Sequence, residues 1–197
     1  MVNFYFPKRG DLDGIVYTWQ AYADSLAAHD DWHPFSYLNN SYHRDADMSN
    51  MIDCATTFLL APGVVQIFYG DETGRKLSDA IHNVDSNQAF RSDMNWSDID
   101  GQLLAHYRKL GTIRRQNHVI GEGRQRILDT HTALRYNDAD SVLIRVMPQS
   151  GQPVICYGVF GDGDVVRDLY TGQVSEVKND CVIFPECPNN VLILKKE

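Results

Sequence analysis

Two rhythms of apolar positions divide the chain. Through residue 118, short apolar runs alternate with stretches of helical spacing: "VNFYF" (2–6), a helix over about 11–29 capped by Asp11, "FSYLNN" (35–40), a helix over about 48–61, "VVQIFYG" (64–70) and a helix over about 98–116. That order is βαβαβα. Strands that read as continuously apolar are covered on both faces, and strands alternating with helices imply a parallel sheet of β/α units. Trp19, Tyr22 and Trp32, in or just after the first helix, are expected in the core. His106 and Arg108 lie in "LLAHYRKLGTIRRQN", where leucines and isoleucine hold the helical spacing, and they are assigned to a solvated or packing face.

Beyond residue 118 the helical rhythm gives way to short β-rich runs: "QRILDT", "TALRYN", "SVLIRVM", "PVICYGVF", "VVRDLY", "CVIFPE" and "NVLILKK". Turn signals separate them, among them "YNDADS", "PQSGQP", "TGQ" and "PNN". The pattern predicts an antiparallel β-sandwich over 119–197. The "GDGD" of 161–164 lacks the ligand count and spacing of a calcium loop and is read as a hairpin turn.

Composition narrows the partners. With 197 residues, 43% of them hydrophobic, the chain can bury a sizeable core. A net charge of −8 with both signs interspersed argues against nucleic acid or an anionic membrane surface, and favours a neutral or cationic ligand. No apolar window reaches the length of a membrane span, and "MVNFYFPKRG" lacks the layout of a signal peptide. Cys54, Cys156, Cys181 and Cys187 carry no metal-ligand or CxxC spacing; free buried thiols are expected, with a Cys181–Cys187 bridge left open. No cofactor is evident.

In a parallel sheet, ligands meet side chains at the C-terminal ends of the strands. "VVQIFYGDE" would therefore set Gly70, Asp71 and Glu72 on a functional rim. Neighbours on a strand end point in opposite directions, so at most one of the two carboxylates faces a pocket. For Glu72 the alternative is a structural role, pairing with a buried arginine or with backbone amides.

These motifs, in order, carry a resemblance. "SYLNN", "LLAPGVVQIFYGDETG", "RSDMNW", "LLAHYRKLGTIRRQN" and "IGEGRQRIL" together resemble the C-terminal portion of an α-amylase of glycoside hydrolase family 13. The resemblance implies the last three β/α units of a (β/α)8 barrel over 1–118, followed by an antiparallel β-sandwich domain over 119–197. It implies cleavage of α-glucans with retention, by a carboxylate nucleophile and a general acid about 5 to 5.5 Å apart. In the family those two groups come from strands four and five, upstream of this chain, so the chain alone is expected to be inactive. Calcium is compatible with a full-length parent.

A third carboxylate is expected after strand seven, within an Asn-His-Asp or Ser-His-Asp sequence. Here the chain reads "SYLNNSYHRDADMSN". Direct counting puts Ser41 and Tyr42 at the His and Asp positions, whereas a shift of the loop offers His43 and, one residue late, Asp45 as transition-state stabiliser. Asn40 stands at a matching position. The alternative for His43 and Asp45 is a solvated loop, with Asp45 or Asp47 as N-cap of the following helix. Arg91 and Trp96 either line the substrate cleft or pack their loop on the barrel. Three strands of eight leave open edges, which implies self-association or docking with the missing N-terminal barrel half. A non-catalytic, carbohydrate- or protein-binding descendant of the fold is the alternative function.

Overall fold

The computed structural model describes residues 2–5 (backbone only), 19–24, 29, 34–39, 50–76 and 91–197. Three parallel strands open the fold: β1 (Val2–Tyr5), β2 (Pro34–Tyr37) and β3 (Val64–Gln66), in the spatial order β1-β2-β3. Val2 pairs with Pro34, and Phe35 with Val64. Parallel neighbours need a crossover, and α1 (Met51–Leu59) supplies it between β2 and β3. Residues 19–24 are helical, and Trp19 and Tyr22 within them are buried. The strand read as 64–70 stops at Gln66, because the chain turns at Gly70, whose φ is +89°. Asp71 and Glu72 consequently lie in a turn, not on alternate faces of a strand end.

Helix α1 starts at Met51, with Asn50 rather than Asp45 or Asp47 at its N-cap and no side-chain capping bond. It is buried on almost every side, including Thr56 and Thr57. Those hydroxyls are satisfied locally, Thr56 Oγ1 donating to Ile52 O and Thr57 Oγ1 to Asp53 O, each at 3.0 Å. No basic residue lies in its last turn, so its terminal carbonyls take donors from elsewhere. Arg114 donates to Leu59 O at 2.8 Å, to Ala61 O at 2.6 Å and also to Gly63 O. Arg135, fully buried, donates to Leu60 O at 3.0 Å. Two guanidiniums thus offset the negative end of the α1 dipole.

Helix α2 (Gly101–Gln116) begins where Asp100 accepts from the Leu103 amide at 2.9 Å, and ends with Arg114 and Arg115 against its own dipole. Leu103, His106, Tyr107, Leu110 and Ile113 form its buried face; Arg108 is exposed. A further turn of helix, α3 (Val119–Glu122), follows where the sequence reading had helical structure end.

Antiparallel structure dominates the remainder. Six strands lie in the order β4-β5-β6-β11-β8-β9: β4 (Arg124–Asp129), β5 (Thr132–Tyr136), β6 (Ser141–Val146), β8 (Val165–Asp168), β9 (Val174–Glu176) and β11 (Val191–Lys196). Strands β7 (Pro153–Ile155) and β10 (Cys181–Ile183) form a separate pair. Strand β9 is additional to the seven runs read from sequence, and "PVICYGVF" contributes only its first three residues as strand. "GDGD" forms a turn closed by Asp164 on the Gly161 amide, leading into β8 rather than joining two paired strands.

Alternation along β6 and β11 shows why these strands read as unbroken apolar runs. Val142, Ile144, Val146, Val191 and Ile193 face one core with α1 and α2; Leu143, Leu192 and Leu194 face a second core with Val154 and Val182 of the outer pair. Both faces of the large sheet are covered. All four cysteines are free, so Cys181 and Cys187 are not bridged. Burial, followed by the nearby Cys181, pushes the Cys156 thiol up to about 11.

Candidate functional site

Beyond β3 the chain folds into a turn over Gly70–Arg75 that sits at the C-terminal ends of β2 and β3. Its pivot is Arg75, buried to 1% exposure, with its guanidinium 4.0 Å from the centre of the Tyr69 ring. Arg75 donates to Tyr69 O at 3.3 Å, to Ser92 O at 3.1 Å and to Ser92 Oγ at 2.5 Å. The turn demands glycine at position 70: a Cβ there would stand 2.6 Å from Arg75 Cβ and Nε.

Asp71 is fully buried and accepts from Asn39 Nδ2 at 2.6 Å, which ties the turn to the end of β2. Tyr107 of α2 lies against it: burial first, then the charges of Asp71, Cys54 and Glu72, hold that phenol well above its usual range. Glu72 is half-buried and accepts from the Gly70 amide at 3.0 Å. Glu72 is engaged within the turn and Asp71 by the end of β2, while the buried Arg75 beside them donates to Ser92.

A second loop closes on this turn. Asn95 Nδ2 donates to Thr73 O at 2.9 Å, Thr73 Oγ1 donates to Asn95 Oδ1 at 2.7 Å, and the Asp100 amide donates to Thr73 O at 3.0 Å. Between these anchors, Trp96 is left 74% exposed; Ile99 is exposed nearby in sequence, as are Ile67 and Tyr69 just before the first turn, where Tyr69 OH donates to Ser92 O. Arg91 is also exposed. An exposed indole among amide and hydroxyl groups suits a neutral, hydroxylated ligand, which stacks an apolar face and bonds at its edges. Asn40, His43, Asp45 and Trp32 lie outside the described residues.

Three buried polar groups lie away from this turn; sequence reasoning gave His106 a solvated or packing face and missed Asp168 and Arg135. His106 of α2 is 1% exposed and bonds through Nε2 to Thr56 Oγ1 at 2.9 Å and through Nδ1 to Tyr170 OH at 2.7 Å. Asn189 donates to the same Tyr170 oxygen at 2.6 Å. Burial pushes the imidazole down to about 4, opposed by the Ile52 carbonyl and reinforced by Lys109. Asp168, fully buried, accepts from the amides of Tyr170, Thr171 and Ile193 and from the Thr171 hydroxyl. Arg135 is the third. For His106 the signal existed: it falls three and four residues from Leu103 and Leu110 on the apolar stripe. Among the described residues no three His, Cys, Asp or Glu side chains gather as a metal site.

No family model matches the chain. It is 35% identical over 155 residues to the periplasmic α-amylase of Escherichia coli, a match covering 73% of this chain and 22% of that protein. Its fold matches an Anoxybacillus α-amylase with a TM-score of 0.73 at 17% identity, covering 94% of this chain and 45% of that one. The structure of AmyP in complex with maltose matches with a TM-score of 0.66 at 15% identity, over 90% and 44% of the two chains. The chain therefore spans about a fifth of the curated relative and less than half of these structures. By sequence the chain is homologous to a periplasmic α-amylase, and its fold matches part of the solved α-amylase structures.

Proposed function

We propose that the chain supplies the closing part of an α-amylase-type glycosidase: residues 1–118 as the last three β/α units of a (β/α)8 barrel, and 119–197 as the C-terminal β-sandwich domain. The observation that carries this is the 35% identity to a periplasmic α-amylase. It is supported by three parallel strands that present one tied turn at their C-terminal ends, where barrel enzymes bind substrate. The substrate class is an α-glucan, since related folds hold maltose and maltotriose. Hydrolysis proceeds with retention, the nucleophile and general acid coming from strands four and five of the parent.

In this reading Trp96 and Arg91 line the glucan cleft, and Asn40, His43 and Asp45 contribute further substrate contacts. Gly70, Asp71 and Glu72 hold the rim in shape. Strand β3 takes its second neighbour from the missing barrel half, which its exposed Val64 and, just past its end, the exposed Ile67 favour. Asp164 already bonds the Gly161 amide and Lys196, so the "GDGD" turn does not fit calcium; a calcium ion in the parent would be held elsewhere.

Maltoheptaose hydrolysis is the test, on this chain alone and mixed with the upstream half of a related α-amylase. The chain alone should release no reducing sugar, while calorimetry should detect maltoheptaose binding that Trp96→Ala weakens about tenfold. Hydrolysis by the isolated chain would refute the assignment of the catalytic pair to absent strands. Unchanged binding in the Trp96 variant would remove that loop from the cleft.

A further inference from the structure

At the opposite end of the parallel strands lies a cavity of about 830 Å³, beside Pro34 and Val64, the first residues of β2 and β3. Its size suits a small molecule. The walls are the end of α2, the α3 turn and the start of β4. Within a chain of net charge −8, the described residues of this lining are mainly basic: Arg114, Arg115 and Arg124, with His29 and His118, against Glu122 alone among them.

The cations differ in what they already hold. Arg114 spends its donors on the carbonyls that end α1. Glu122 lies 3.5 Å from His118 and, among the described residues, forms no salt bridge with an arginine. Arg115 and Arg124 are exposed at the cavity, and among the described residues no carboxylate forms a salt bridge with either. They approach from different walls, one from the last turn of α2 and the other from the first residue of β4.

We propose that this cavity binds a phosphate group, carried by a small sugar ester or as the free ion. Two planar guanidiniums on separate walls match an anion with several acceptor oxygens and a double charge, which each engages bidentately. The remaining volume accommodates the sugar. This site is distinct from the rim at the other end of the strands; the choice of phosphate does not rest on the glycosidase reading, whereas the choice of a sugar as its carrier does.

The test is calorimetry on the full chain with inorganic phosphate, glucose 1-phosphate and, as neutral control, glucose, together with amide-shift mapping by NMR. Both phosphates should bind, shifting the Gly121 and Gly123 amides, while glucose leaves those amides unmoved. The Arg115→Ala/Arg124→Ala double variant should bind phosphate about tenfold more weakly, and added salt should weaken binding in the parent chain. Both side chains are exposed, so the variant should fold, which far-UV circular dichroism checks. Tighter binding of glucose 1-phosphate identifies the ester as the ligand form; equal binding identifies the free ion. Absence of phosphate binding, binding unchanged in the double variant, or shifts confined to other residues would each overturn the proposal.

Discussion

His106 makes stability depend on pH in a way that can be calculated. The ring sits in a directional chain of hydrogen bonds: Asn189 donates to the Tyr170 oxygen, Tyr170 donates to His106 Nδ1, His106 Nε2–H donates to Thr56 Oγ1, and Thr56 donates to Ile52 O. A proton on Nδ1 would force the Tyr170 oxygen to accept from both Asn189 and His106, stranding its own hydroxyl hydrogen. The charge itself would be buried, with Lys109 nearby: that ammonium stands 4.4 Å from the Tyr170 ring centre. Both effects agree with an imidazole held at about 4 in the folded chain.

In the unfolded chain the same group returns to about 6.5. Between these values the unfolded state carries the proton and the folded state does not, so stability falls as pH drops through the window. Full stability from this source is present above about pH 6.5. Going from pH 7.5 to pH 5, the linkage relation with the folded value near 4 removes about 2 kcal/mol. Urea denaturation at the two pH values measures it, in the parent chain and in His106→Gln, which cannot titrate. Contributions from carboxylates and from exposed histidines enter both proteins and cancel in the difference. The parent should lose about 2 kcal/mol more than the variant over this interval. Identical pH dependence in the two proteins would refute the neutral, buried assignment of His106.

The buried polar groups give three further predictions. Asp168→Ala should cost about 4 kcal/mol in urea denaturation, because it strands three backbone amides and a hydroxyl in the interior; a loss below about 1 kcal/mol would contradict the four bonds drawn to that carboxylate. Arg114→Met and Arg135→Met should diverge in thermal denaturation: the first loses three acceptors at the end of α1 and should cost about 3 kcal/mol, the second loses one bond but relieves a buried charge and should stay within about 1 kcal/mol of the parent. Gly70→Ala should cost about 2 kcal/mol and displace Arg75 from Tyr69, visible as a change in tyrosine near-ultraviolet dichroism; a silent substitution would mean that the turn tolerates a Cβ.

Legibility in the sequence followed the range of the interactions. The spacing of Leu103, Tyr107, Leu110 and Ile113 marks one helical face, and the helix lies where the spacing puts it. Its start was read at about 98, ahead of the Gly101 where it begins, because Asp100, which accepts from the Leu103 amide, was not singled out as the cap. The end of β3 was not legible. "IFYG" carries strand-forming letters, but Tyr69 is needed beneath Arg75 and Gly70 must turn, requirements set by Ser92, seventeen residues further on. Strand β9 was missed because three residues, "VSE", are too short to establish a period.

Distance in sequence also explains the polar residues. Nothing local to "TALRYN" marks its arginine for burial, yet Arg135 is buried, because its acceptor is the Leu60 carbonyl just past α1, 75 residues earlier. Asp168 ends strand β8, within the run "VVRDLY" read as β, but its burial depends on Ile193 bringing β11 alongside. Taken together these contacts connect the two rhythms of the chain. Arg135 comes from the antiparallel sheet and bonds just past the end of α1; Tyr170 and Asn189 come from the same half and hold His106 of α2; Gln125 of β4 donates to Trp19 O at 2.6 Å. Ala133, Val142, Ile144 and Ile193 complete the same apolar core as Phe58 and Leu110. The covered face of the large sheet therefore removes from water the helices α1 and α2, which a three-stranded arc alone could bury on one side only. Cutting between α3 and β4 would expose that core on both sides of the cut and leave two buried guanidinium and imidazole clusters without partners, so the β-rich half is part of what folds the β/α half.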